Sequence, residues 1–425
     1  MSEYQYRIVD SELDALFPHL AALALEGPRG VGKSATALRR ASTVLYLDEP
    51  DQLRLLDADP GRLERDPTPI LIDEWQRLPR SWDLVRRSVD RDPSGGRFLL
   101  TGSAAPFQAP AHSGAGRIVR LRMRPLSLAE RGLPEPPTVS LKSLLTGSRP
   151  EVAGHSSVDL AGYTAEILAS GFPAIRTLPD RARIAQIDSY LARLVEFDFK
   201  EQGHRVSRPA TLRGWMGAYA AATATTASYN TILDAATPGD ANKPAKVTTA
   251  VYRDVLTKLW LLDPLPGWIP STHQLQRLAQ RPKHHLADPA FAARLLGATT
   301  EGLLHNEVRG RRLPKDGLLL GQLFESLTVL SVQVYAQPAG ATCHHLRMQD
   351  GSHEIDIIVE GDDRRVVAIE TKLSATVDDH DVKHLNWLRS RIGDRLADAV
   401  VITTGSDAYR RPDGIAVIPA ALLGP

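Results

Sequence analysis

The chain has 425 residues, of which 43% are hydrophobic, 24% charged and 6% aromatic, with a formal net charge of +1. This length divides into about two to four domains, and so ordinary a composition excludes a fibrous, collagen-like or wholly disordered chain. One cysteine, Cys343, excludes a disulfide framework and a thiolate zinc cage, and near-neutrality excludes a polycation that coats nucleic acid.

The N-terminus, MSEYQYRIVDSELDALF, is acidic where a signal peptide needs a basic start. No stretch reaches the roughly 18 consecutive apolar residues of a membrane span. Both features predict a soluble, cytoplasmic protein without membrane contact. Apolar runs at 21–27, 43–49, 69–75, 97–103 and 117–123 predict strands, and Lys33–Ala41 and Ser81–Asp90 between them have helical spacing. That alternation predicts an α/β domain with a mostly parallel sheet over residues 1–132. Residues 133–158, with LPEPP, TGSRP and GHSS, read as a linker. Residues 159–315 turn helical, with helical apolar spacing in Ile184–Phe199, Ala210–Ala222 and Val247–Trp260. Short strands around a basic loop, QRLAQRPKHHLAD, follow at 261–287. Over 316–425 the order is helix (Gly321–Val334), strands (Glu354–Val359 and Arg365–Thr371), helix (Val382–Ile392) and strand (Ala399–Thr403), a compact α/β module.

Gly27-Pro28-Arg29-Gly30-Val31-Gly32-Lys33-Ser34 satisfies G-x-x-x-x-G-K-[ST] between an apolar strand and the helix-forming run SATALRRA, which continues at Ala35. The glycines let backbone N–H groups point at phosphate oxygens, Lys33 would reach the β/γ-phosphates, and Ser34 would ligate Mg²⁺. Asp73 and Glu74 end the buried-strand run Ile70-Leu71-Ile72. Ligands of open parallel sheets bind beyond the carboxyl ends of strands, so both carboxylates would face the phosphates. Asp73 would hold Mg²⁺ through water and Glu74 would polarise the attacking water, which predicts ATP hydrolysis and not binding alone. Thr101 or Ser103, closing the strand FLLTGS, would orient the γ-phosphate or its water, or else simply form a Gly-Ser turn. Arg117 would serve as an arginine finger in cis or from a neighbouring subunit, which makes a homo-oligomer plausible. Arg120, Arg122 and Arg124 alternate with Leu121 and Met123, as on the polar face of a strand.

Taken together, GPRGVGKS, ILIDEWQRLP, FLLTGSA and GRIVRLRMRPLSLAE resemble the bacterial and archaeal AAA+-type ATPases that carry a C-terminal domain of unknown function, the DUF4143 group. Later signposts are GFP (171–173), VYRDVLTKLWLLDPLPGW (251–268), KHHLADPAF (283–291), GQLFES (321–326) and HEIDIIV with AIETK (353–372). The resemblance implies a P-loop core with the strand order of ATPases that carry an additional catalytic Glu. It further implies a helical and winged-helix middle and a nuclease-like C-terminus.

Asp356 and the Glu370-Thr371-Lys372 triplet end neighbouring strands, and residues i and i+2 of a strand share a face. With Glu325 on the preceding helix, three carboxylates would hold Mg²⁺ while Lys372 activates water. Asp-x13-Glu-x-Lys resembles the PD-(D/E)xK nuclease superfamily, with Glu325, Asp356, Glu370 and Lys372 as the matching positions; a solvated salt-bridge cluster or an inactive nuclease fold has the same pattern. In the middle domain, residues 247–285 are the candidate DNA contact. Val247–Trp260 would be a recognition helix, with Arg277, Arg281 and Lys283 a basic wing on phosphates and His284 and His285 wing or surface residues. Packing or protein docking is an equal reading of that helix.

Residues 1–158 hold 21 basic and 20 acidic side chains, 159–315 hold 20 and 14, and 316–425 hold 10 and 16. DNA, if bound, belongs on the basic middle. The function expected is an ATP-hydrolysing switch whose nucleotide state controls the appended domains. An ATP-gated Mg²⁺-dependent DNA nuclease and a non-catalytic regulator binding DNA or a protein are the alternatives.

Overall fold

The computed structural model describes residues 4–104, 114–236, 244–270, 280–305, 307–308, 311–312, 319–348 and 350–425. The N-terminal domain is a five-stranded parallel sheet of β1 (Ala22–Glu26), β2 (Thr43–Tyr46), β3 (Ile70–Asp73), β4 (Phe98–Gly102) and β5 (Ile118–Arg122). Its order is β2-β3-β4-β1-β5, so β4 separates the phosphate-loop strand from the acidic strand, as the resemblance implied. Every residue of β1, β3 and β4 is buried, because helices cover both faces of a parallel sheet. Alternate residues serve opposite cores. Leu23, Leu25, Leu71 and Leu99 pack on one face and Ala22, Ala24, Ile70, Ile72 and Leu100 on the other.

The middle is helical. Helix Asp180–Arg193 continues through a π-helical turn, Leu194–Asp198, into Phe199–Glu201, and helices Pro209–Ala221, Tyr229–Ala236 and Lys246–Lys258 follow. The last buries Tyr252, Val255 and Leu256 and leaves Val247 exposed.

The remaining strands are β6 (Val139–Ser140), β7 (Gly154–His155), β8 (Gly267–Trp268), β9 (Glu307–Val308), β10 (Arg311–Arg312), β11 (Thr342–Arg347), β12 (Glu354–Glu360), β13 (Val366–Thr371), β14 (Leu396–Thr403), β15 (Asp407–Arg410), β16 (Ala416–Pro419) and β17 (Leu423–Gly424). Eight of them form one sheet in the order β7-β15-β16-β14-β13-β12-β11-β8. Helix Leu319–Ala336 covers one face and helix Lys383–Ile392 the other. The segment Leu319–Ala339 is long and apolar enough to cross a membrane by length and composition, yet 78% of its apolar window is buried within the protein.

Residues 133–158 are not a free linker. β6 pairs with β17, β7 pairs with β15, and Val139, Leu141 and Leu144 are buried in the core. The Pro and Gly residues mark turns between short paired segments, so this stretch belongs with the C-terminal sheet. That sheet also borrows β8 from the middle domain, which pairs with β11.

Candidate functional site

At the carboxyl edge of the N-terminal sheet the chain turns from β1 into Gly27–Ser34. A Cβ on Gly27 would sit 2.1 Å from the Met123 carbonyl oxygen, so only glycine lets the loop pass the end of β5. Gly32 has φ of +108°, a backbone that L side chains rarely adopt, immediately before helix Lys33–Leu38. Arg7, which sequence reasoning missed, braces the loop. Its guanidinium donates to Val31 O (3.1 Å) and Arg124 O (2.8 Å) and pairs with Glu130 (2.9 Å).

Lys33 Nζ donates to Gly27 O and Pro28 O, both at 2.9 Å. Burial pushes its pKa down to about 8, against the opposing pull of Glu74 and Asp73. Ser34 Oγ donates to Asp73 Oδ1 at 2.6 Å, and Thr101 Oγ1 donates to the same oxygen. Ser103 Oγ donates to Glu74 Oε2 at 2.7 Å, and Gln76 Nε2 reaches both residues. Glu74 itself lies at φ 55°, ψ 45°, a left-handed backbone that costs a non-glycine residue about 1–2 kcal/mol and clusters at functional positions. The strain aims Glu74 past the end of β3 while Asp73 stays in the strand. Hard oxygens on Ser34 and Asp73, 2.6 Å apart at the foot of the loop, fit an Mg²⁺–nucleotide. Arg29 and Val31 belong to this same turn, and Ala35 lies in the helix that follows it.

The helical domain leans over this edge. Tyr190 Oη donates to Arg29 O (3.2 Å) and Arg77 pairs with Glu201 (3.3 Å). Between them lies a cavity of about 100 Å³ lined by Arg29, Glu74, Ser103, Asp198 and Glu201.

Residues 20–131 match the family model of an AAA domain. Residues 320–423 match a domain of unknown function, DUF4143, and residues 161–302 match another, DUF8612. The chain thus joins a segment that matches an AAA domain to one that matches DUF4143. Its relatives include the uncharacterized proteins Mb2031c of Mycobacterium bovis and Rv2008c of Mycobacterium tuberculosis. Each is 24% identical over 354 residues, which cover 83% of this chain and 68% of theirs.

Arg117 does not reach the AAA site of its own chain. It precedes β5, whose register sets Ile118 beside Ala22 and Arg122 beside Glu26, so it stands about 20 Å along the strand from the phosphate loop. There it pairs with Asp90 at 2.8 Å. Accordingly, Arg117→Ala is expected to leave ATP turnover of the monomer unchanged; a large loss in single-turnover assays of the monomer would restore the cis finger.

Arg122 and Arg124 do more than decorate a strand. Arg124 Nε lies 2.7 Å and Arg122 Nη2 3.3 Å from Asp263 of the DUF8612 region, and the Arg122 guanidinium stacks 4.7 Å from the Trp260 ring centroid. Burial would raise the Asp263 pKa, but the two arginines outweigh it and hold the carboxyl at about 2.

In the DUF4143 domain Glu325 and Asp356 share the Lys283 ammonium, and Glu370 feels the charge of both carboxylates. Asp356 Oδ2 accepts from Thr371 N (2.9 Å) and Oγ1 (2.8 Å). Lys372 Nζ is 3.7 Å from Glu370 Oε2, while Glu370 Oε1 is buried without a hydrogen-bond partner among the described residues. Burial, then the Asp356 charge, pushes Glu370 well above the usual carboxylate range, and the same two causes lift Glu325 to about 8.

The basic wing needs correction. Lys283, His284 and His285 are all buried, and His284 Nε2 lies 2.8 Å from Ala227 O. Lys283 pairs with the DUF4143 carboxylates and is turned away from solvent, so it contacts no phosphate. Arg281 is exposed, and Arg277 lies outside the described residues. Glu354 joins the acidic cluster two residues before Asp356 on the same strand. The i,i+2 rule that linked Glu370 to Lys372 would have found it.

Proposed function

We propose that this protein hydrolyses ATP at the AAA site and uses its nucleotide state to reposition the DUF8612 and DUF4143 regions. The observation that carries the proposal is the meeting of Lys33, Ser34, Asp73, Glu74 and Ser103 at one sheet edge. Lys33 would hold the β/γ-phosphates, and Glu74, oriented by Ser103, would take the proton of the attacking water. Mg²⁺, bound through Ser34 and Asp73, would neutralise charge on the transferred phosphate. The Asp263 clamp and the Arg29–Tyr190 contact support transmission, because both join the nucleotide domain to the middle. The test is phosphate release with and without DNA, with DNA integrity read in the same tube. Turnover supports the proposal, and tight ATP binding with negligible turnover in both conditions favours the non-catalytic regulator instead.

A second reading, DNA cleavage gated by ATP, is favoured by the convergence of Glu325, Asp356, Glu370 and Lys372. The basic middle, with Arg281 exposed, supports DNA as the partner, although the burial of Lys283 removes one contact that this reading used. Under it, Mg²⁺-dependent nicking by the wild type should vanish in Glu370→Gln. Absence of nicking by the wild type in Mg²⁺ or Mn²⁺, with ATP present, rejects it.

A further inference from the structure

The DUF4143 carboxylates, as arranged, do not fit a divalent ion, because a cation of the protein's own already touches them. Lys283 Nζ lies 2.8 Å from Glu325 Oε1, 3.1 Å from Asp356 Oδ1 and 3.3 Å from Glu354 Oε1. An ammonium carries three donors; here it donates to Glu325 and Asp356, with the Glu354 carboxylate within ion-pair reach. A magnesium ion bridging Glu325 and Asp356 would sit roughly 2.0–2.1 Å from the same oxygens. Two cations cannot share that space, and Lys283 is only 1% exposed.

We infer that Lys283 is the resident cation of the DUF4143 carboxylate cluster, an intramolecular plug that excludes a divalent ion until it is withdrawn. The inference rests on the second reading only in taking the cluster as a cation site; it does not require strand cleavage. One ammonium leaves the cluster short of positive charge, since among the described residues the four carboxylates of Glu325, Glu354, Asp356 and Glu370 meet three cations at close range, Lys283, Lys372 and, on Glu354, Arg347. The buried Oε1 of Glu370, unpartnered among the described residues, is the acceptor left over.

The plug is built into a ladder that runs back to the AAA domain. Lys283 N donates to Leu265 O (2.9 Å) and Leu265 N to Lys283 O (2.8 Å). Two residues before Leu265 is Asp263, held by Arg122 and Arg124 at the exit of β5. β5 in turn pairs with β1, the strand that enters the phosphate loop. A displacement of β5 against the DUF4143 sheet therefore pulls on the strand partner of Lys283.

The test is Mn²⁺ binding, followed by electron paramagnetic resonance, to the nucleotide-free full chain. Wild type should show no Glu370-dependent site tighter than about 1 mM. Lys283→Met should gain one Mn²⁺ site on the order of tenfold tighter or more, lost again in K283M/E370Q. Equal Mn²⁺ affinity in wild type and K283M, or no gain in a folded K283M, overturns the plug. If K283M folds only when Mn²⁺ is present, the ion has replaced the ammonium and the inference stands. If it does not fold at all, wild type and Glu370→Gln decide. A wild-type site of micromolar affinity that Glu370→Gln abolishes overturns the plug, and its absence upholds it. A K283M protein that binds Mn²⁺ but cuts no DNA removes the nuclease reading alone.

Discussion

Replacing Glu74 with Gln is expected to lower ATP turnover by about 10²- to 10⁴-fold while nucleotide binding persists. Gln is isosteric and keeps the contact with Ser103, so the left-handed turn after β3 survives the change. What is lost is a carboxylate able to accept the proton of the attacking water. Lys33→Ala should behave differently. It removes the ammonium that lies on Gly27 O and Pro28 O, and with it the charge that would grip the β/γ-phosphates, so binding and turnover should fall together. Equilibrium titration with a fluorescent nucleotide beside phosphate release separates the two effects. Near-wild-type turnover in Glu74→Gln would move the catalytic base to another residue.

Asp263→Ala is expected to be the most damaging change outside the nucleotide site. It leaves the Arg122 and Arg124 guanidiniums close together at a domain junction without their shared carboxylate. Breaking a buried pair by removing one partner costs about 3–5 kcal/mol, and the partial exposure of both arginines puts this case at the lower end. The chain has several domains, so the loss should appear in the unfolding step that contains the middle helices, read by limited proteolysis along a urea gradient. The pH dependence has a definite sign. Asp263 is held at about 2 when folded, against about 3.9 for a free Asp, so its stabilisation is complete above pH 4 and is lost as the pH falls through about 2. Asp263→Asn should lack that acid step. An unchanged acid profile in Asp263→Asn would mean that the clamp contributes nothing to stability.

Most of the N-terminal domain can be read from local pattern. Each of its five apolar runs contains a strand; the central strands β1, β3 and β4, covered on both faces, need unbroken apolar segments, whereas the edge strands β2 and β5 leave residues partly exposed. The phosphate-binding loop is readable for the same local reason, since its glycines, Lys33 and Ser34 lie in one turn. Asp356 and Glu370 are readable because strand periodicity reports which residues share a face. Long-range electrostatic partners are not readable in this way. Lys283 looks like a wing residue in RPKHH, and nothing nearby announces that Glu325 and Asp356 will enclose it. Asp263 and Arg7 are likewise single charges whose partners lie more than a hundred residues away. Arg117 illustrates register, since one strand has two ends and only the parallel pairing with β1 says which end faces the loop. Residues 133–158 have the composition of a linker because turns dominate them, while the buried Val139, Leu141 and Leu144 between those turns do the packing.

The most direct measurement is phosphate release from Mg²⁺–ATP by the wild type and Glu74→Gln side by side, each first shown to bind nucleotide. Turnover by the wild type that all but disappears in Glu74→Gln, with binding retained in both, is the predicted result. No release by a nucleotide-bound wild type, or equal release by the two proteins, would contradict ATP hydrolysis at the Lys33–Asp73–Glu74 site.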